Sequence, residues 1–203
     1  MITRATVEYT SDNVHLSISL FNNDFDHLQG NCLGETDCDN SSINVGEANV
    51  KGAEIKLSTV WQVSNFELPI ELAFTHNDGQ YQRDFNRSSG GWQINRGDLL
   101  PYIPDNHLYF KIGLRARNWK VSAQATYRGV ARTSPGANFN QANAILDDVA
   151  LLNIQASYAV SNAGLITLAI NNVTDEVYAQ SSFQAGLLAG NERTVSLRYK
   201  YRF

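Results

Sequence analysis

Apolar and polar residues alternate along most of this chain. The last stretch, RTVSLRYKYRF, shows the pattern: Val195, Leu197, Tyr199, Tyr201 and Phe203 share one parity, and Ser196, Arg198, Lys200 and Arg202 share the other. A period of two is the mark of a strand whose two faces meet different surroundings. The pattern predicts nine strands, at Arg4–Thr10, Val14–Phe21, Ala48–Trp61, Phe66–Thr75, Leu108–Arg117, Trp119–Arg128, Ala150–Val160, Leu165–Asn171 and Arg193–Phe203. Almost nothing carries a helical period. In every predicted strand one parity is free of charge, for example Phe66, Leu68, Ile70, Leu72 and Phe74. The other parity holds Glu8, Glu54, Lys56, Glu67, Glu71, Lys111, Arg115, Lys120, Arg128, Arg198, Lys200 and Arg202.

A soluble β-sandwich alternates too, so the connections have to separate the two architectures. Short turns at Ser11–Asn13, Gln62–Asn65, Arg117–Asn118 and Ser161–Gly164 take turns with long loops at Asn22–Glu47, His76–His107, Gly129–Val149 and Asn172–Glu192. Short turns on one rim and long loops on the other are the plan of an outer-membrane β-barrel, with the short turns in the periplasm. The aromatics agree. Tyr9, Trp61, Phe66, Trp119, Tyr158, Tyr201 and Phe203 lie near the short-turn end, and Phe74 and Tyr127 near the other. Amphipathic rings collect where hydrocarbon meets water. The uncharged parity is therefore expected to face lipid and the charged parity a wet lumen.

Composition narrows the picture further. A net charge of -4 in 203 residues, with a pI of about 5.5 and no basic cluster, argues against a nucleic-acid partner. No run of 18 apolar residues offers a transmembrane helix. The opening ITRATVEYT lacks the apolar core of a signal peptide, so the reading expects either a cytosolic protein or a piece of a longer one. Cys32 and Cys38 lie six positions apart in a polar loop, where a small disulfide is the reading and free thiols the alternative.

Candidate chemistry is sparse. The four histidines stand singly, without a nucleophile or carboxylate at a recognisable spacing, and Ser88-Ser89 and Ser181-Ser182 lack a glycine elbow. No catalytic residue, cofactor or metal set is read. Glu35, Asp37 and Asp39 lack the regular ligand spacing of a calcium loop, so a solvated loop is favoured there. The loop QYQRDFNRSSGGWQINRGD sets Arg83, Arg87 and Arg96 beside Tyr81, Phe85 and Trp92. Arginine forks bind carboxylates and aromatics supply flat contact area, so an anionic ligand at the outer mouth would suit Arg83, Arg87, Trp92 and Arg96, with Arg132 in the next loop. Salt bridges to neighbouring loops or to lipopolysaccharide phosphates are the plainer use of the same residues.

Four stretches resemble the C-terminal half of the TonB-dependent outer-membrane receptors. INVGEANVKGAEIKLS is similar to the strand that follows one of that family's large loops. LPYIPDNHLYFKIGL resembles its proline-marked start of a descending strand, and LAINNVTDEVYAQ its penultimate strand with an Asn-x-x-Asp-x-x-Tyr tail. The closing strand resembles the family's ending, in which a terminal aromatic, here Phe203, is read by the barrel assembly machinery. FNNDFDHLQGNC and NVGEANVKG most resemble the branch that includes ferric dicitrate receptors. The resemblance implies an all-β, antiparallel up-and-down barrel in the bacterial outer membrane, contacting lipid and lipopolysaccharide. It implies uptake of a ferric siderophore or ferric citrate-like chelate, powered by the TonB complex acting on a plug domain. A passive porin or adhesin barrel is the alternative. That family's barrel has 22 strands, so residues 1–203 are expected to be its last nine, without the plug. The first and last strands both descend, so nine strands cannot close with antiparallel neighbours. The expectation is an open sheet with two unpaired edges.

Overall fold

A computed structural model describes residues 1–31, 42–86, 93–134, 145–161, 163–183 and 186–202. Nine strands form its wall: β1 (Ile2–Thr10), β2 (Val14–Asn31), β3 (Ser42–Val63), β4 (Phe66–Tyr81), β5 (Asn106–Arg115), β6 (Trp119–Arg128), β7 (Val149–Ala159), β8 (Gly164–Asn171) and β9 (Thr194–Tyr201). They pair in chain order into one antiparallel sheet, with β1 and β9 at its two edges. The edges do not pair with each other, so the sheet is open, as the strand directions require. Among the described residues no second sheet packs on the uncharged face, which argues against the sandwich. The connections β1–β2, β3–β4 and β5–β6 at the short-turn end are tight turns, and Ser64 takes a left-handed conformation (φ 57°) to make the one between β3 and β4.

The registers keep the two parities in phase across the whole sheet. One uncharged row runs Val7, Ile18, Ile55, Phe74, Leu108, Tyr127, and another runs Leu57, Leu72, Phe110, Ala125, Leu152. A slip of one residue in any pair would turn that strand's apolar set inward, so the patterning specifies the register strongly. The uncharged face is the open one: Leu20 is 62% exposed, while its neighbour Ser19, on the charged face, is 4% exposed. Side chains crowd on the concave side of a curved sheet and splay on the convex side. The polar face is thus the inner one. On the outer face of β3 the uncharged residues run from Val63 to Ala53, and Lys51 follows. Ten residues at about 3.3 Å each, tilted by about 40°, rise about 25 Å, the height of an outer-membrane apolar band.

Three strands overrun the lengths read from the pattern. β2 continues to Asn31, β3 begins at Ser42 and β4 reaches Tyr81. Above the apolar band both faces meet water, so alternation ends while backbone pairing continues, through bulges at Phe25 to Gln29. Three short hairpins were also invisible to the pattern: Phe85–Asn86 with Gln93–Ile94, Ala131–Arg132 with Ile145–Leu146, and Ala179–Phe183 with Gly186–Ala189. All three belong to the long-loop end. Inside the wall, Gly52 stands opposite Phe21, and a Cβ there would run into the His76 carbonyl oxygen and the Phe21 ring. The ring lies flat enough on this gap for the Arg4 guanidinium to sit 5.7 Å from its centroid.

Candidate functional site: loop end and lumen wall

The inner face is a ladder of charge pairs, two between adjacent strands, one within β3 and one reaching from β1 across β2 to β3. Arg4 meets Glu54 at 3.1 Å, and Lys56 meets the same carboxylate at 3.5 Å. Lys111 lies 3.6 Å from Glu71, and Arg115 lies 3.5 Å from Glu67, each pair directly opposite in register. Cross-strand pairing is the ordinary use of such carboxylates. Ser157 and Thr167 share a hydrogen bond of 3.0 Å further round the wall, as Thr6 and Ser19 do at 2.9 Å. This ladder polarises the inner surface.

The long-loop end is built on an apolar knot. Ala48, Tyr81, Ile94 and Leu100 are buried together, with Leu28, Val50, Phe85 and Ile103 packed around them. The chain after Gln93 runs back along the free edge of β4: Tyr81 N–H donates to the Asp98 carbonyl at 2.9 Å, and Leu100 N–H to that of Gly79 at 2.9 Å. Burial, reinforced by the negative charge of Asp98, pushes the Tyr81 phenol up to about 12. Leu100 and Ile103, apolar inside an otherwise polar loop, are a faint sign of this knot in the chain itself.

Of the predicted ligand residues, the structure describes Arg83, Arg96 and Arg132. Arg83 is held by Glu47 at 2.9 Å. Arg96 is exposed, and its backbone N–H donates to Asp84 Oδ1 at 2.7 Å. Arg132 lines a cavity of about 490 Å³ with His76, Asp78, Leu99, Asp105 and Ile145. Burial holds its guanidinium below the usual arginine range, and the charge of Asp98 offsets part of that shift. Arg87 and Trp92 lie outside the described residues, as do Cys32, Cys38 and Phe203. The described loop end binds itself together more than it gathers guanidiniums: Arg128 donates to the carbonyls of Asp147 and Ala179, and Tyr102 to that of Ser182.

The Asn-x-x-Asp-x-x-Tyr tail has a structural use. Asn172 is 4% exposed and left-handed (φ 50°). Its amide donates to the carbonyls of Glu176 (2.9 Å) and Asn191 (3.1 Å), while its Oδ1 accepts from Glu176 N–H at 2.9 Å. Asp175 grips Arg193 at 2.9 Å, and Tyr178 covers Gly190, where any side chain would strike the ring. The three motif residues latch the end of β8 to the start of β9.

Charge divides along the barrel axis. Residues 22–52, 76–106, 128–149 and 172–193, which make up the loop end, hold fifteen of the 20 carboxylates and seven of the 16 Lys and Arg residues. The remaining wall and turns hold five and nine. The net charge of -4 hides a negative crown over a positive wall.

A family model described as TonB dependent receptor-like, beta-barrel, matches residues 4–173. Among solved structures, the ferric-catecholate import receptor Fiu of K12 E. coli in its closed form aligns with 100% of this chain and 27% of its own, at 17% identity and TM-score 0.75. The siderophore receptor PiuA of Acinetobacter baumannii aligns with 97% of this chain and 27% of its own, at 18% identity and TM-score 0.73. The copper transporter OprC aligns with 100% and 31%, at 15% identity and TM-score 0.71. At these identities the likeness is one of fold, and the chain spans less than a third of each relative. No curated protein matches the sequence.

Proposed function

The chain belongs to the TonB dependent receptor-like β-barrel family of the bacterial outer membrane, and from that premise we propose that it forms part of the wall of an energised importer of a ferric siderophore or ferric citrate-like chelate. The observation that carries this reading is the continuous outer apolar face, some 25 Å tall by strand geometry, on a sheet that follows siderophore receptors along its whole length. Receptors of this family are transport proteins and not enzymes. The wall's neighbours in the assembly would be lipid and lipopolysaccharide outside and a plug domain within, with the TonB complex reached through that plug. The closing strand, ending at Phe203, is the part the barrel assembly machinery would read. Arg83, Arg87, Trp92, Arg96 and Arg132 remain the residues proposed to meet the chelate, and Cys32–Cys38 the proposed loop disulfide.

A passive porin is not favoured, because the family match is to energised receptors. The test is radioiron uptake from ferric citrate and ferric catecholates in cells expressing the complete gene, with and without a functional TonB complex. Uptake that vanishes without TonB supports the reading. Uptake indifferent to TonB and to the proton-motive force, together with general leakiness to small solutes, would overturn it.

A further inference from the structure

The inner-wall cations are not all paired. Glu54 serves Arg4 and Lys56, and Glu67 and Glu71 serve Arg115 and Lys111. Lys120, Arg198, Lys200 and Arg202 make no ion pair among the described residues. Their placement is ordered. Lys120 stands directly opposite Arg115, a like charge whose carboxylate partner is Glu67 on the far side. The same row continues through Ser157 and Thr167 to Arg198. Like charges in register are unfavourable, and this pair sits in a recess of about 160 Å³ lined also by Ser122, Gln155, Ser157 and the Lys111–Glu71 ion pair, so that three cations there face one carboxylate. From Arg198 the cations step down β9 toward the short-turn rim, at about 7 Å per step for alternate residues of a strand. Lys200 and Arg202 border a second recess of about 220 Å³.

We infer that this stretch of inner wall, from the Lys120 recess to Arg202, is a transfer surface for polyanionic solutes on the periplasmic side of the lumen. Rows of Lys and Arg pass anions when each site binds weakly and the next lies within reach. Along β9 the spacing lets a multiply charged anion engage one cation before leaving another, while the gap of about 14 Å from Lys120 to Arg198, three inter-strand steps, is spanned by the hydroxyls of Ser157 and Thr167. Where the wall is self-neutralised, on β1 to β5, it offers no such path. The inference deepens the transport reading by assigning the lumen's exit side to a charge class of cargo. Its test does not depend on transport.

The experiment is amine acylation of the complete receptor in detergent micelles, followed by mass spectrometry, with citrate as the anion and sodium chloride at equal ionic strength as the control. Citrate should slow acylation of Lys120 and Lys200 by about three-fold or more as it occupies the row, and leave Lys51 and Lys56, which are ion-paired, unchanged. Arg198→Gln with Arg202→Gln should abolish protection at Lys200, and Arg198→Lys with Arg202→Lys should restore it. Heat-modifiable migration establishes that each variant is assembled. Equal slowing at all four lysines would mean screening only and overturn the inference. So would an absence of slowing, or Lys120 and Lys200 being unreactive throughout because protein covers the wall. Failure of TonB-dependent uptake, by contrast, would sink the transport reading and leave this result standing.

Discussion

Ala123 and Gln124 are consecutive residues of β6 whose side chains point to opposite faces, and the same substitution at each should have opposite consequences. Ala123 lies midway between Trp119 and Tyr127 on the outer face, flanked in register by Ile112 and Ile154. Trp119 stacks beside Tyr158 with ring centroids 4.4 Å apart, marking the periplasmic edge of the band. Four residues of strand at about 3.3 Å, tilted by about 40°, put Ala123 about 10 Å inside either edge. An arginine there cannot reach water without thinning the bilayer or bending its stem, and the cost at mid-depth is about 2–4 kcal/mol. Gln124 faces the lumen, opposite Lys111 and Asn153. Arginine there gains water and loses little, within about 1 kcal/mol, most of that from repulsion by Lys111. The assay is urea unfolding of the complete receptor in lipid vesicles, followed by heat-modifiable electrophoresis. Ala123→Arg should lower the midpoint clearly and reduce the assembled fraction in cells, while Gln124→Arg should stay near wild type. Equal costs, or the larger cost at Gln124, would refute the assignment of faces on which the membrane reading rests.

Asn172→Ala removes three hydrogen bonds and puts a Cβ-restricted residue in a left-handed conformation. At about 1 kcal/mol per bond, the latch should open about 3 kcal/mol more readily, raising amide exchange across 172–193 by about two orders of magnitude; unchanged exchange would refute the latch. Tyr81 supplies a pH prediction. Its folded pKa of about 12 exceeds the ordinary 10.0, so the folded loop end holds the phenol proton more tightly. Stability from this group is complete below pH 10 and is lost as pH rises through about 12, on the order of 2 kcal/mol in all. Spectroscopic tyrosine titration should show a late-ionising phenol that disappears in Tyr81→Phe.

Alternation by itself settled which residues face lipid, because a strand exposes each face to a single medium over the membrane's depth and every violation costs kilocalories. It therefore delivered the nine wall strands, the phase of their registers, the two rims and the open edges, since strand direction follows from counting turns. It failed above the band, where water wets both faces of β2, β3 and β4 and no parity is penalised. There only the folded chain shows that Tyr81, Ile94 and Leu100 form a core, that Arg83 is already held by Glu47, and that Arg132 borders a large cavity. Ion pairing was beyond the pattern as well. Sequence placed Lys111, Arg115 and Lys120 on one face as equals, and register then gave carboxylates to the first two and none to the third. Faces are set by a local period and a one-dimensional solvent profile, whereas partners depend on which strand lies alongside and at what offset, which is fixed only when the sheet assembles.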